Sequence, residues 1–488
     1  MESLTKKTSV GIIWSALERL GCQVAGFAIQ ILLARIIDPT EFGLLALLTI
    51  FIIFSQMIID GGFGQAIIQK AKVERPDIST VFFFNFLLSI LMYGAIFLLA
   101  PRVAEFYSEP RLVVLLRVLG INLLINALGK IQYCLLIRGL QFKRLFKITL
   151  PAMTISGVIG IAMALLGFEV WALVAFQISN ALVSNVCYWW MSDREMWPCF
   201  EFSWTSLVSM ARFGIGILGG SLLFQFVTNA YGLLIGKAFS FDQLAFYNRA
   251  RSFHQLPAGT LTQVLNRVLF PVFSTIQNDD RRILQAVRRG IPIVAFVVFP
   301  LMTFLMCAAE EIVVVLLTDK WLASVQYMRW FPILGMLYPI AAVQLAVIRA
   351  KGWSGFYFFM DLIKNSIAIG TLIFTIQHGV LTVVVGQVLA GLFCTVFINV
   401  PAFNYVYKYH PAHQLADVLP YFAVSVVAIM AALVSDMLLV EFSTIVTLAI
   451  KAVAFFLTYF YCCWLTKLNG LNYFVERFVV SNAAIKSL

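Results

Sequence analysis

The chain has 488 residues, of which 61% are hydrophobic and only 12% charged, with a net charge of +11 and a mean hydropathy of +0.91. So few charges exclude an ordinary soluble enzyme, whose charged fraction is about a quarter. The basic excess is accounted for by anionic lipid on the inner face of a membrane, which removes the need for a nucleic-acid partner.

A membrane span needs about 20 mostly apolar residues, and the sequence supplies such blocks throughout. Taken in chain order, fourteen helices are predicted at roughly 11–36, 43–66, 79–100, 112–136, 148–167, 170–190, 213–236, 248–273, 290–317, 328–350, 354–376, 380–405, 419–440 and 444–466. The only sizeable polar interruption falls at about 191–212, whose "FSWTSLVSMARFG" has the spacing of an amphipathic helix lying on the inner surface. Lys and Arg fall mainly on the side of the N-terminus, whereas the opposite loops hold only Arg102, Arg111, Lys237, Lys320 and Arg329. The positive-inside rule then places both termini in the cytoplasm. Seven of the eight cysteines lie in predicted spans and Cys199 lies in a loop on the reducing side, so no disulfide framework is expected.

The two halves echo each other. "ARIIDPTEFG" after the first helix resembles "GKAFSFDQLA" after the seventh, Gln23 matches Gln225 at the same offset, Gln177 matches Gln387, and "LLIRG" matches "AVIRA". Six crossings return the chain to its starting side, so these are parallel repeats around a central cavity, an arrangement that suits alternating access. The expected organisation is an N-lobe over 1–190, a cytoplasmic connector over 191–212, a C-lobe over 213–405, and two further helices with a tail over 406–488. The fold class is an all-α polytopic membrane protein.

Charges at membrane depth point to function, because each costs roughly 2.5–3.5 kcal/mol at a helix centre. Arg19, Lys130, Arg267 and Lys364 form an inner tier, and Arg35, Arg117, Arg249 and Arg251 an outer one. Arg35, Arg249, Arg251 and Lys451 have the alternative of snorkelling to headgroups. Asn122, Asn126 and Lys130 follow one another at i, i+4 and share one stripe, as do Gln225 and Asn229. A cavity with more cations than anions suits an anionic cargo, and Arg forks suit phosphate oxygens. Glu18, Asp60 and Asp361 are the acidic candidates for coupling to a proton or sodium ion. Neighbouring Glu18 and Arg19 diverge by about 100° on a helix and so cannot simply pair with each other.

Three other signals are weak. "GLLIGKA" at 232–238 lacks the length and the Ser or Thr of a phosphate-binding loop. His410 and His413 in "HPAH" have metal-like spacing but no further ligands. Gly216 to Gly220 is a GxxxG suited to close helix packing. No nucleophile, base or metal constellation is recognisable, so neither an enzyme nor a resident cofactor is expected.

The opening "TSVGIIWSALERLG", the loop "LLARIIDPTEFGLLAL", and the segments "DGGFGQAIIQK", "NRVLFPVFSTIQND" and "LLTDKWLASV" resemble the polysaccharide-transporter, or O-antigen flippase (Wzx-like), family of the multidrug/oligosaccharidyl-lipid/polysaccharide exporter superfamily. The resemblance implies transfer of undecaprenyl-diphosphate-linked oligosaccharide across the bacterial inner membrane, driven by an ion gradient, for O-antigen, capsule or exopolysaccharide synthesis. It also implies membrane lipids as partners, with a polysaccharide polymerase as a further candidate. The pyrophosphate would meet Arg19, Lys130 and Arg267 first and Arg117, Arg249 and Arg251 later, with Asn122, Asn126, Gln225 and Asn229 lining the path. Two alternatives remain: a drug antiporter of the same superfamily, and a membrane polysaccharide polymerase.

Overall fold

The computed structural model describes residues 2–470 apart from 71, 194–196, 278, 439–441 and 469. The side chains of 2–13 and of Arg267 lie outside the described residues, as do parts of the expected connector and tail. All regular structure among the described residues is helical. In chain order it comprises α1 (Glu2–Ile36), α2 (Pro39–Asp60), α3 (Phe63–Gln69), α4 (Arg75–Tyr107), α5 (Arg111–Arg138), α6 (Phe142–Leu165), α7 (Val170–Met191), α8 (Trp204–Ala238), α9 (Phe241–Thr275), α10 (Asp280–Cys307) and α11 (Ala309–Leu316). There follow α12 (Val325–Met328), α13 (Phe331–Ala350), α14 (Ser354–Thr375), α15 (Val380–Cys394), α16 (Val400–Tyr407), α17 (Pro411–Leu438) and α18 (Thr444–Leu465).

Among the described residues, thirteen spans are long and apolar enough to cross a membrane, counting α15 and α16 as one helix interrupted by a π turn at Thr395–Asn399. Helix α9, 35 residues long and read from the sequence as a span, falls outside that set because Arg249, Arg251, His254 and Gln263 lower its hydropathy. The chain is therefore the all-α multi-span protein that its composition implies.

Several boundaries differ from the sequence reading, each for a local reason. The polar stretch thought to lie on the surface forms the first turns of α8 instead, with the Ser203 hydroxyl accepting the Ser206 amide as its N-cap. Leu207 and Met210 are consequently buried against Phe63 and Ile67 of α3, Ile78 and Val81 of α4, and Ile131 of α5. The ninth predicted helix is two: α10 ends at Cys307, and α11 restarts with Glu310 and Glu311 in its first turn, where the helix dipole favours carboxylates.

The chain divides into two compact units, Met1–Ala245 and Phe246–Leu488. Helix α8, expected to open the C-lobe, packs within the first of them. The core of the second unit gathers Val294, Phe299 and Met302 of α10, Val343 and Val347 of α13, Ala428 of α17 and Phe455 of α18. Leu98 keeps 77% of its surface exposed and Trp190 keeps 85%, as lipid-facing side chains do.

Apolar lipid offers helices no hydrophobic drive to associate, so close packing through small residues carries more weight. In the first unit α2 ends on Gly61 and Gly62, at φ 46° and 77°, a left-handed pair that turns the chain into α3. A Cβ on Gly62 would lie 2.6 Å from the Gly214 Cα of α8, so this turn rests on bare backbone. By contrast, a Cβ on Gly216, Gly219 or Gly220 would meet nothing within 4 Å. The predicted GxxxG contact is thus absent among the described residues, and Gly214 makes the close approach.

Candidate functional site

Asp60 is the last residue of α2, held at the helix end by the Gly61–Gly62 turn. Lys130, four residues beyond Asn126 on α5, reaches it with Nζ at 2.5 Å from Oδ2. The Gln56 amide approaches Oδ1 at 3.4 Å. The pair lines a cavity of about 240 Å³ together with Met57, Gln65, Ile68 and Tyr133, among others. Asp60 sits at a helix C-terminus, where the dipole disfavours an anion, so the lysine offsets both the dipole and the loss of water. The sequence reading gave Lys130 to a pyrophosphate and Asp60 to ion coupling; the structure binds the two into one ion pair.

Around this pair the other candidates of the first unit separate. Glu18 is half-buried and Arg19 exposed, and Tyr133 lies within electrostatic reach of both. Glu18 also lies within electrostatic reach of Tyr188 of α7, so it faces the neighbouring helices α5 and α7. Asn122 is buried, and its Oδ1 has no hydrogen-bond partner; Asn126 is half-buried on the same stripe. Arg117 stacks over Phe97, 4.0 Å from the ring centre, and its Nε donates to the Phe97 carbonyl at 3.4 Å. Arg35 is exposed. On α8 the Asn229 amide donates to the Gln225 backbone carbonyl at 2.9 Å and so satisfies its own helix.

The second unit holds a separate cationic group. Arg249 is buried, with its guanidinium 5.0 Å from the centre of the fully buried Trp321 ring. A buried cation over an aromatic face replaces part of its lost hydration, so snorkelling does not describe it. Arg251 hydrogen-bonds the Tyr247 phenol, which in turn donates to Gln387 Oε1 at 3.0 Å. His254 stacks on Phe331 with ring centres 5.1 Å apart. Asp361 and Lys364 pair within one turn of α14 at 3.4 Å, with Asn365 donating to Asp361 at 3.2 Å. Here again a predicted acid and a predicted inner cation are one another's partners. Lys451 is only 2% exposed and is paired with Glu311 and with Asp436, the latter at 2.7 Å, so it too does not snorkel.

Sequence reasoning missed the roles of Trp321 and Tyr247. Trp321 had a signal, an isolated Trp in a short loop motif, whereas Tyr247 had none.

Long apolar helices in two units, with ions paired among them, define a multi-span helical membrane protein. A solved lipid II flippase, MurJ in an inward closed conformation, superposes with a TM-score of 0.75 at 14% identity, covering 93% of this chain and 98% of that one. An inward-facing multidrug transporter of the MATE family gives 0.58 at 14% identity, over 81% and 99%. The chain belongs to the polysaccharide biosynthesis protein family, whose model matches residues 32–326. It is 26% identical to the teichuronic acid biosynthesis protein TuaB of Bacillus subtilis, over 74% of this chain and 75% of that protein. It is 24% identical to the lipopolysaccharide biosynthesis protein WzxC of Escherichia coli, over 81% and 80%.

Proposed function

We propose that the protein is a flippase that carries undecaprenyl-diphosphate-linked oligosaccharide from the cytoplasmic to the periplasmic leaflet of the bacterial inner membrane by alternating access. It performs no chemistry on the cargo, has both termini in the cytoplasm, and is driven by an ion gradient. The observation that carries this reading is family membership in polysaccharide biosynthesis combined with a fold shared with a lipid flippase.

In this mechanism a diphosphate approaching the first unit competes with Asp60 for Lys130, since both offer anionic oxygens to one ammonium group. Uptake of the coupling ion at Asp60 releases Lys130 to the diphosphate, and its loss restores the ion pair and releases the headgroup. Arg19 and Arg267 assist at entry, Arg117, Arg249 and Arg251 at exit, and Asn122, Asn126, Gln225 and Asn229 serve the sugars. Glu18 and Asp361 are further coupling groups.

The test is reconstitution in liposomes with a labelled lipid-diphosphate sugar, with and without a proton or sodium gradient. Gradient-accelerated transfer that Lys130→Met abolishes is expected. Failure of the wild-type protein to move the lipid-diphosphate sugar overturns the reading. Transport of an organic cation in its place would favour the drug-antiporter alternative, which the MATE-type fold keeps in view.

A further inference from the structure

On α9, Tyr247, Arg251 and Gln255 follow one another at i, i+4 and share one stripe. The stripe runs from the core to accessible surface: Tyr247 is buried, Arg251 half-buried and Gln255 exposed. The guanidinium in the middle is held from both ends. With the Gln255 amide turned to accept, its oxygen takes Arg251 Nε at 2.9 Å and Nη2 at 3.3 Å. On the inner side Arg251 donates to the phenol oxygen of Tyr247. The phenol gives its one proton to Gln387 Oε1 of α15 at 3.0 Å, which leaves the lone pairs of the same oxygen for Arg251. Both inner supports are rigid. The Tyr247 ring meets Phe331 edge-on with centres 5.3 Å apart. Beside Gln387, a Cβ on Gly386 would lie 2.7 Å from Thr375 Cγ2 of α14, so α15 has no slack there.

The first unit has the same frame without the cation. At the offset of 202 residues that separates Thr40 from Asp242, Leu45 and Thr49 of α2 correspond to Tyr247 and Arg251, while Gln177 of α7 matches Gln387 in the repeat. There Gln177 donates directly to Thr49 Oγ1 at 3.4 Å, and the Thr49 hydroxyl turns back to the Leu45 carbonyl at 2.7 Å. A glutamine thus braces the same helix position in both halves, and in the second the brace ends on a guanidinium. We propose that Tyr247 and Gln387 are positioning residues that aim Arg251 at a diphosphate oxygen. This rests on the proposed place of Arg251 in releasing the lipid diphosphate and adds the residues that direct that arginine. A neutral acceptor orients a guanidinium without cancelling its charge, and the planar fork then offers an anion a fixed direction of approach. Tyr338 of α13, exposed and within electrostatic reach of Arg251, marks the open side.

The experiment uses the purified full chain in lipid nanodiscs, with inorganic pyrophosphate as the probe. Phenylglyoxal modifies accessible guanidinium groups, and mass spectrometry of the Arg251 peptide reads the pyrophosphate concentration that half-protects it. Tyr247→Phe should raise that concentration about tenfold, the effect of losing one hydrogen bond to a charged group, and Gln387→Met about threefold. The double variant should be no worse than Tyr247→Phe alone, because Gln387 acts only through the phenol. Gln177→Met, the matching loss in the first unit, should leave the protection of Arg251 unchanged. Wild-type protection in both single variants would overturn the proposal, as would effects that add in the double variant. So would an equal weakening by Gln177→Met, which would reduce the brace to general stability, or a wild-type Arg251 that pyrophosphate does not protect. If Tyr247→Phe does not reach the membrane, Gln387→Met set against Gln177→Met still decides. Failure of the wild-type protein to move the lipid-diphosphate sugar, with these shifts intact, overturns the transport reading alone; unshifted protection with transport intact overturns the positioning alone.

Discussion

Lys130 and Asp60 offer the sharpest energetic test. Their charged atoms stand 2.5 Å apart, which at an effective dielectric of about 20 corresponds to a gross attraction of about 7 kcal/mol. Dehydration of both ions offsets most of this, and each side chain retains just under a third of its surface, 30% and 29%. The net coupling expected is about 1–3 kcal/mol. Lys130→Met strands a carboxylate and should cost about 2–3 kcal/mol. Asp60→Asn strands an ammonium group and should cost about the same. The double variant, in which neither ion is left alone, should be more stable than the sum of the single losses by the coupling energy. Equilibrium unfolding in mixed micelles, run as a double-mutant cycle, measures it. Additivity within about 0.5 kcal/mol would mean that the two side chains do not interact, and would remove the basis for competition between Asp60 and a diphosphate.

Gly62→Val should prevent accumulation in the membrane, because it combines a left-handed φ of 77° with a Cβ 2.6 Å from Gly214, whereas Gly216→Ala should accumulate normally; membrane-fraction blots compare the two. Trp321→Ala should lose about 3–5 kcal/mol and Trp321→Phe much less, since a ring still covers Arg249; thermal unfolding of the detergent-purified variants reads the difference. Lys451→Met should lose about 3–5 kcal/mol near neutral pH. Thermal unfolding of the detergent-purified variant reads that loss.

Element count and orientation-free topology were legible in the sequence because a span has a required length and composition. The exceptions show the limits of that reading. Helix α8 swallowed the polar run from Trp204 because Leu207 and Met210 find partners on α3, α4 and α5, which a helical wheel of the segment alone cannot reveal. Asp60 and Lys130 were each recognisable as costly at membrane depth, but their pairing joins positions 70 residues apart. Asp361 and Lys364, only three apart on one helix, carried a visible pairing signal that an argument built on depth alone passed over. Lys451 needed two partners from different elements, one of them in the short α11 that the sequence merged into its neighbour.

The contact of Gly62 with Gly214 has a mechanical consequence. No side chain stands between the two backbones, so nothing there can change rotamer to absorb a movement. Any sliding of α8 along this contact would be passed undamped into the turn at Gly61–Gly62, and the residue immediately before that turn is Asp60. The carboxylate that holds Lys130 is in this sense mounted on a stiff lever, and a shift of helix position becomes a change in whether one ammonium group is engaged or free.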